Sequence, residues 1–164
     1  MPDSPRGWNY GKFRKKVENI ARVILSASRE NVPDIIGLCE VENEFCAETL
    51  VRYSQLKEAG YEYIITDSPD ERGIDVLLLY QPYTFRLLDK RFIHVPTASI
   101  GGRPTRDILH ASGRIVTGDT LDVFLLHFPS RSGGWRKSEK FRLMAAGILK
   151  SAADSVMSVR VNPN

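Results

Sequence analysis

Three stretches of the chain carry side chains whose types and spacing suit phosphate chemistry. In Asp34-Ile35-Ile36-Gly37-Leu38-Cys39-Glu40-Val41-Glu42-Asn43, a short apolar run ends in Glu40 and Glu42. Residues two apart on an extended chain project to the same side, so both carboxylates face one way where the strand leaves the core. A carboxylate held there can bind a hard cation such as Mg²⁺, which takes one or two protein carboxylates and completes its shell with phosphate oxygens and water. The same residues also fit a plain strand exit, with Glu42 or Asn43 capping the next helix.

The second stretch is Leu125-Leu126-His127-Phe128-Pro129-Ser130-Arg131-Ser132-Gly133-Gly134. His127 closes an apolar strand and is followed at once by hydroxyls, a guanidinium and two glycines, which sets an acid or base beside anion-binding donors. Ser130 and Arg131 are the candidate phosphate contacts, and Gly133 and Gly134 let the backbone approach a ligand or take positive φ. A histidine hydrogen-bonded to a neighbouring carbonyl ahead of a polar turn fits equally well. The third stretch is Arg72-Gly73-Ile74-Asp75, where a carboxylate enters an apolar strand and needs a partner. His127 would serve, and the pair would make the imidazole more basic and fix its orientation; an arginine, or an exposed strand edge, would also explain it. Arg106 could add a guanidinium to the site or form a salt bridge. His94 and His110 read as ordinary polar residues, and Trp135 as packing or as a platform for a base or sugar.

Elements that position these residues can be read from periodicity. Phe13, Val17, Ile20, Ala21, Ile24 and Leu25 recur at helical spacing over 12–28, and Pro33 forces extended geometry before the next element. Ile35 to Cys39 is apolar throughout, the pattern of a central strand covered on both faces. A second helix is expected from Asn43 or Glu44 to about Ala59, with Gly60 as its stop. Strands follow at 61–65 and 74–80, then at 84–95 as the antiparallel partner of 74–80, at 107–117, and after a Gly118-Asp119 turn at 121–128. A last helix spans about 135–157. Strand, helix, strand in this order indicates a layered α/β fold. The 12–28 helix has no strand before it, and Asn162-Pro163-Asn164 reads as a loop toward another strand, so truncation is expected.

Composition sets wider bounds. At 164 residues, 42% hydrophobic and 26% charged, the chain has an ordinary globular composition of single-domain size. No run approaches the roughly 18 apolar residues of a membrane helix. Cys39 and Cys46 are too few for a disulfide scaffold, and Cys39, within the apolar run, is expected to be a small buried hydrophobe. The net charge of +3 is compatible with an anionic partner. One basic cluster is Lys12, Arg14, Lys15 and Lys16; the weightier one, Arg131, Arg136, Lys137, Lys140 and Arg142, follows directly on the His127 motif.

In this order and spacing, Gly37-Leu38-Cys39-Glu40-Val41-Glu42-Asn43, Arg72-Gly73-Ile74-Asp75-Val76 and His127-Phe128-Pro129-Ser130-Arg131-Ser132-Gly133-Gly134 resemble the endonuclease/exonuclease/phosphatase superfamily. The resemblance runs over nearly all of the chain from Tyr10. It implies a deoxyribonuclease-like four-layered α/β sandwich, two sheets face to face with helices outside, and a Mg²⁺- or Mn²⁺-dependent phosphoric ester hydrolase. On that resemblance Glu40 is the metal ligand, His127 and Asp75 are the catalytic histidine and its acidic partner, and Arg106 contacts phosphate. The first strand with its asparagine, the later Asp-x-Asn pair and the final Asp-His have no counterpart here. Residues 1–164 are therefore expected to form a single, partial domain with little or no turnover alone. Its open sheet edges invite self-association. A phosphodiesterase of nuclease type leads among the readings, with nucleic acid, phospholipid head groups and inositol phosphates all candidate substrates. A non-catalytic binding domain on the same sandwich is the alternative; no localisation follows.

Overall fold

The computed structural model describes residues 7–28, 31–131 and 133–160. In chain order its elements are α1 (Tyr10–Ser26), β1 (Ile35–Val41), α2 (Glu44–Tyr53), a 3₁₀ turn at Gln55–Ala59, β2 (Glu62–Ile65), β3 (Asp75–Tyr80), β4 (Phe85–Ile93), a 3₁₀ turn at Thr97–Ile100, β5 (Ile108–Ile115), β6 (Thr120–Leu125) and α3 (Trp135–Val159). The strands form two antiparallel sheets of order β1-β3-β2 and β4-β5-β6. The loop expected at Asn162–Asn164 lies outside the described residues.

Alternation along β3 explains how the layers meet, since successive side chains point to opposite faces. Leu77 and Leu79 pack with Phe13, Val17, Ala21 and Ile24 of α1 and with Ala47, Leu50 and Val51 of α2. Val76, Leu78 and Tyr80 face the other way, onto Phe85, Leu109 and Ala111 of the second sheet. Outside that sheet, Ala145 of α3 packs on Val95 and Ile108. The order helices, sheet, sheet, helix is the four-layered sandwich. All six β3 residues are buried, so each Leu→Ala change there should cost about 2–5 kcal/mol.

Three expectations are corrected by this arrangement. The central strand is β3, not Ile35–Cys39: β1 pairs only with β3 among the described strands, and both Gly37 and Cys39 are exposed. The strand over 84–95 does not pair with 74–80. Gln81 ends β3 by donating its backbone N–H to Asp34 O (2.8 Å), and the chain crosses to the second sheet, where β4 pairs with β5. The second helix breaks at Ser54, which is extended (φ −106°, ψ −171°). Its Oγ caps the following turn by accepting from Leu56 N at 3.1 Å, and Tyr53, the last residue of α2, is exposed.

Two glycines permit close approach, one between the sheets and one within the second sheet. A Cβ on Gly37 would fall 2.7 Å from Leu125 Cδ1, and one on Gly113 would fall 2.3 Å from the Phe85 ring. Gly37 lets β6 of the second sheet lie close over β1 of the first, which is how the ends of those two strands come to share a rim, whereas Gly113 of β5 makes room for the Phe85 ring of its own sheet.

Candidate active site

Glu40 is the site's most strained residue. β1 carries a bulge between Cys39 and Val41 in its pairing with β3, and Glu40 sits in it at φ 62°, the non-glycine residue with positive φ among those described. A left-handed backbone costs an L-residue roughly 1–2 kcal/mol, and such strain gathers at functional positions. The bulge turns Glu40 outward, exposed. Among the described residues its carboxylate enters no hydrogen bond or ion pair, although its charge acts on both Arg72 and His127. The capping role also holds: Asn43 Oδ1 accepts from Cys46 N at 3.1 Å and opens α2.

His127 follows the end of β6. Its Nδ1 is buried with no hydrogen-bond partner among the described residues. Burial, then the positive charges of Arg106 and Arg72, lower its pKa, against an opposing pull from Glu40 and Asp70. The imidazole is therefore neutral at pH 7.

Arg106 ties the rim together. Its side chain is 3% exposed. Nη1 donates to Asp70 Oδ2 at 3.0 Å, and Nη2 donates to the carbonyls of His127 (2.7 Å) and Phe128 (2.8 Å). Asp70 also accepts from Arg72: Nε and the backbone N–H reach Oδ1 at 3.0 and 2.9 Å, and Nη2 reaches Oδ2 at 3.0 Å. Burial alone would raise the Asp70 carboxyl, but the hydrogen bonds from Arg72 and Arg106 hold it down at about 2. Glu40, Asp70, Arg72, Arg106 and His127 thus share one electrostatic cluster, drawn from both sheets and the loop before β3.

Asp75 stands apart. It is buried, and Oδ1 accepts from Thr66 Oγ1 (2.7 Å), Ser68 N (3.0 Å) and Ser68 Oγ (2.5 Å). Its expected bond to His127 is not formed, because donors on the segment leaving β2 already satisfy it. Ser68 Oγ in turn accepts from Asp107 N at 3.1 Å, so the Asp75 network braces the loop that carries Arg106.

The segment after His127 is divided. Ser130 lines a cleft of about 550 Å³; Arg131 is exposed; Ser132 lies outside the described residues. Gly133 and Gly134 take positive φ (79° and 104°) and lead into α3. The basic cluster also splits. Arg136 lies over the Trp135 ring at 5.3 Å, Lys140 Nζ donates to Ile100 O at 2.7 Å, and Arg142 Nη1 donates to Ser138 Oγ at 2.6 Å. Lys137 alone of that run, with Arg103 from the loop before β5, is directed to the cleft.

Sequence reading missed the roles of Asp70 and Arg72. The signal was the Asp-Glu-Arg-Gly spacing, which lets an Asx-type turn pair Asp70 with Arg72 two residues on. Nothing local announced the third partner, Arg106, 36 residues away.

A Mg²⁺ site would have to rest on Glu40. Asp70 is committed to two arginines, and the described residues include no group of three His, Cys, Asp or Glu side chains placed to hold a metal. A strained, outward, uncommitted carboxylate fits an ion that takes one protein ligand and otherwise substrate oxygens and water.

This is a deoxyribonuclease-like sandwich with Glu40, Asp70, Arg72, Arg106 and His127 gathered at one rim. The chain belongs to the endonuclease/exonuclease/phosphatase family, whose model matches residues 1–164. Among solved structures, a mannosyl-6-phosphatase of Bacteroides thetaiotaomicron VPI-5482 is similar at 18% identity and TM-score 0.65, over 98% of this chain and 57% of that one. Truncated Caenorhabditis elegans TDP2 is similar at 17% identity and TM-score 0.64, over 93% of this chain and 53% of that one. The human Nocturnin catalytic domain with bound sulfate is similar at 19% identity and TM-score 0.61, over 87% and 52%. A search of curated protein sequences finds no match. The chain spans about half the length of these solved structures.

Proposed function

We propose that the rim formed by Glu40, Arg72, Arg106 and His127 is the phosphate site of a divalent-metal-dependent phosphoric ester hydrolase, of the nuclease-like phosphodiesterase type. Residues 1–164 would be one part of its catalytic domain, with little or no turnover alone. The observation that carries this reading is the shared field of Glu40 and His127, a strained free carboxylate and a neutral imidazole brought from different sheets to one rim. Family membership supports the reaction class. The similar structures include Danio rerio TDP2 complexed with single-strand DNA product (TM-score 0.60, 14% identity) and the mannosyl-6-phosphatase, so phosphodiesters and phosphomonoesters are both within reach of the fold.

Hydrolysis at phosphorus needs a base for the attacking water, positive charge against the developing oxyanion, and a proton for the leaving oxygen. Mg²⁺ or Mn²⁺ on Glu40 would add positive charge beside the phosphate. Neutral His127, with Nδ1 sealed, would accept or return a proton at Nε2. Arg106, by gripping the His127 and Phe128 carbonyls, would hold that imidazole in place, and Arg72, with Ser130 and Arg131 nearby in sequence to His127, would orient the phosphate. Asp75 is a positioning residue in this scheme, acting through Ser68 and the Arg106 loop.

The test is Mg²⁺- or Mn²⁺-dependent hydrolysis of plasmid DNA and of bis(p-nitrophenyl) phosphate by the full-length protein. Glu40→Ala and His127→Ala should each cut kcat by at least ~10²-fold; both variants matching wild type would end the proposal. A non-catalytic domain is the second reading, favoured by the single uncommitted carboxylate of the rim, and absence of metal-dependent turnover in the full-length protein would select it. β1 and β6 each leave one edge without a partner strand among the described residues, so we also propose self-association, which sedimentation velocity would reveal as a concentration-dependent mass.

A further inference from the structure

The last helix is fastened to the rest of the molecule near both of its ends, and the two fastenings differ in kind. Near its start, Lys140 Nζ donates to Ile100 O at 2.7 Å, and the Phe141 ring lies so close to Gly102 that a Cβ there would fall 2.6 Å from it. Ala145 then packs on Val95 and Ile108, flanked by Met144, Ile148 and Leu149. Past Leu149 this apolar hold ends. No residue from Lys150 to Val159 is buried, none joins that cluster, and Met157 and Val159 are exposed.

Composition weakens the same stretch. Ser151, Asp154, Ser155 and Ser158 compete for backbone hydrogen bonds, and Val156 and Val159 lose side-chain freedom in a helix. The Lys150–Asp154 pair is exposed on both sides and adds little. At the boundary stands Gly147, a poor helix former. A Cβ there would meet nothing within 4 Å, so packing does not call for glycine at this point.

The far end is gripped by a single side chain. Arg160, the C-cap of α3, donates from Nε to Asp122 Oδ2 at 2.9 Å, and from Nη2 to Asp122 Oδ1 at 3.1 Å and Ser112 Oγ at 2.7 Å. Asp122 and Ser112 stand opposite each other on β6 and β5, so one guanidinium spans two strands. The receiving carboxylate is held in place by the sheet itself: its side chain is 6% exposed, and His110 Nε2, in a ring stacked on Phe124, lies 2.8 Å from Oδ1. Burial alone would raise the Asp122 carboxyl, but hydrogen bonds led by that from Arg160 hold it below the usual carboxylate range.

We infer that residues 150–160 form a latched strap, which undocks as one unit from the second sheet while the sandwich stays folded, with Arg160 as the latch, Asp122 as its catch and Gly147 as the hinge. Segments with few buried contacts open at low free energy, and here one bidentate, charge-assisted contact stands against that opening. Undocking frees the Asp122 carboxylate. The helix is about 37 Å long, so the strap works at the end of α3 remote from the phosphate rim and does not depend on it.

Hydrogen–deuterium exchange of the chain, read by mass spectrometry on peptides covering 138–147, 150–160 and β3, tests this. In the wild type, the 150–159 amides should exchange at least about tenfold faster than those of 138–147. Arg160→Ala should speed them by a further fivefold or so, and Arg160→Lys, which keeps the charge without the fork, should fall between. Gly147→Ala should slow them by roughly three- to fivefold. The β3 peptide should stay at its wild-type rate in all three variants. Gly147→Ala strengthens the helix, so it decides the matter even where Arg160→Ala fails to fold. Equal wild-type rates over 138–147 and 150–159, or rates over 150–159 unmoved by the substitutions, overturn the strap. A parallel rise at β3 in Arg160→Ala overturns it as well, since the segment then opens only with the whole molecule.

Discussion

Replacing Arg106 with methionine removes the guanidinium while keeping much of the aliphatic stem. Three hydrogen bonds are lost, one to Asp70 and one to each of the His127 and Phe128 carbonyls. Stranding one partner of a buried ion pair costs about 3–5 kcal/mol, but Asp70 keeps Arg72, whose side chain is 54% exposed and screened. The lower end, about 3 kcal/mol, is the appropriate figure for the charge. His127 is half-buried and Phe128 exposed, so their carbonyls can turn to water and add at most about 1 kcal/mol. The expected loss is about 3–4 kcal/mol, or a Tm drop of roughly 6–16 °C for a chain of this size.

Urea unfolding followed by circular dichroism measures this, the midpoint falling at unchanged m. In an Asp70→Asn background the Arg106→Met loss should shrink by about 1–3 kcal/mol, because the pair is no longer there to break. A loss under ~1 kcal/mol, or the same loss in both backgrounds, would refute the clamp.

Three further outcomes follow from the same geometry. In an NMR titration, Glu40→Gln should lower the His127 pKa and Arg106→Met should raise it, whereas Asp75→Asn should leave it in place, since Asp75 is spent on Thr66 and Ser68; an Asp75→Asn shift of more than about half a unit would restore the His127 pairing. Stability should fall on acidification in two windows: His127 titrates lower folded than unfolded, so its share is present above about 6.5 and lost as pH falls from there through the folded value. Asp70, at about 2 against 3.8, holds its share above 3.8 and loses it as pH falls through about 2. That second loss is about 1–2 kcal/mol after screening on the Arg72 side, and Asp70→Asn should flatten it in urea midpoints taken from pH 7 to 2. Gly113→Ala should cost about 1–3 kcal/mol because the fully buried Phe85 ring cannot withdraw, and Gly37→Ala less, because Leu125 can re-rotamer; equal thermal shifts for both would contradict the packing.

Local pattern carried much of this fold. Phe13, Val17, Ala21 and Ile24 repeat at helical spacing, and Gly60 stops the second helical segment in the left-handed conformation (φ 69°). Failures came where pairing is decided at a distance. An apolar run such as Ile35–Cys39 does not state which strand will flank it, and burial there is supplied on one side by β3 and on the other face by Leu125, 86 to 90 residues on in sequence. Hairpins usually join sequence neighbours, which favours pairing the strand over 84–95 with 74–80, yet Gln81 turns the chain into the other sheet.

The site divides along the same line. Residues at strand ends, Glu40 and His127, advertise themselves because a charge closing an apolar run has few structural uses, and their meeting needs only that two strand ends share a rim. Partnerships are harder to read. Asp75 and Asp70 are both carboxylates near the start of one apolar strand, and sequence gives no preference between them. What separates them is the supply of donors: Thr66 and Ser68 reach Asp75 first, so the buried arginine takes Asp70. The charge that steadies His127 is then two positions upstream of Arg72 rather than three downstream, and the histidine is held by its own carbonyl rather than by its ring. That leaves Nδ1 without a partner among the described residues, and burial with the charges of Arg106 and Arg72 keeps the imidazole neutral, the state that the proposed role of proton acceptor requires.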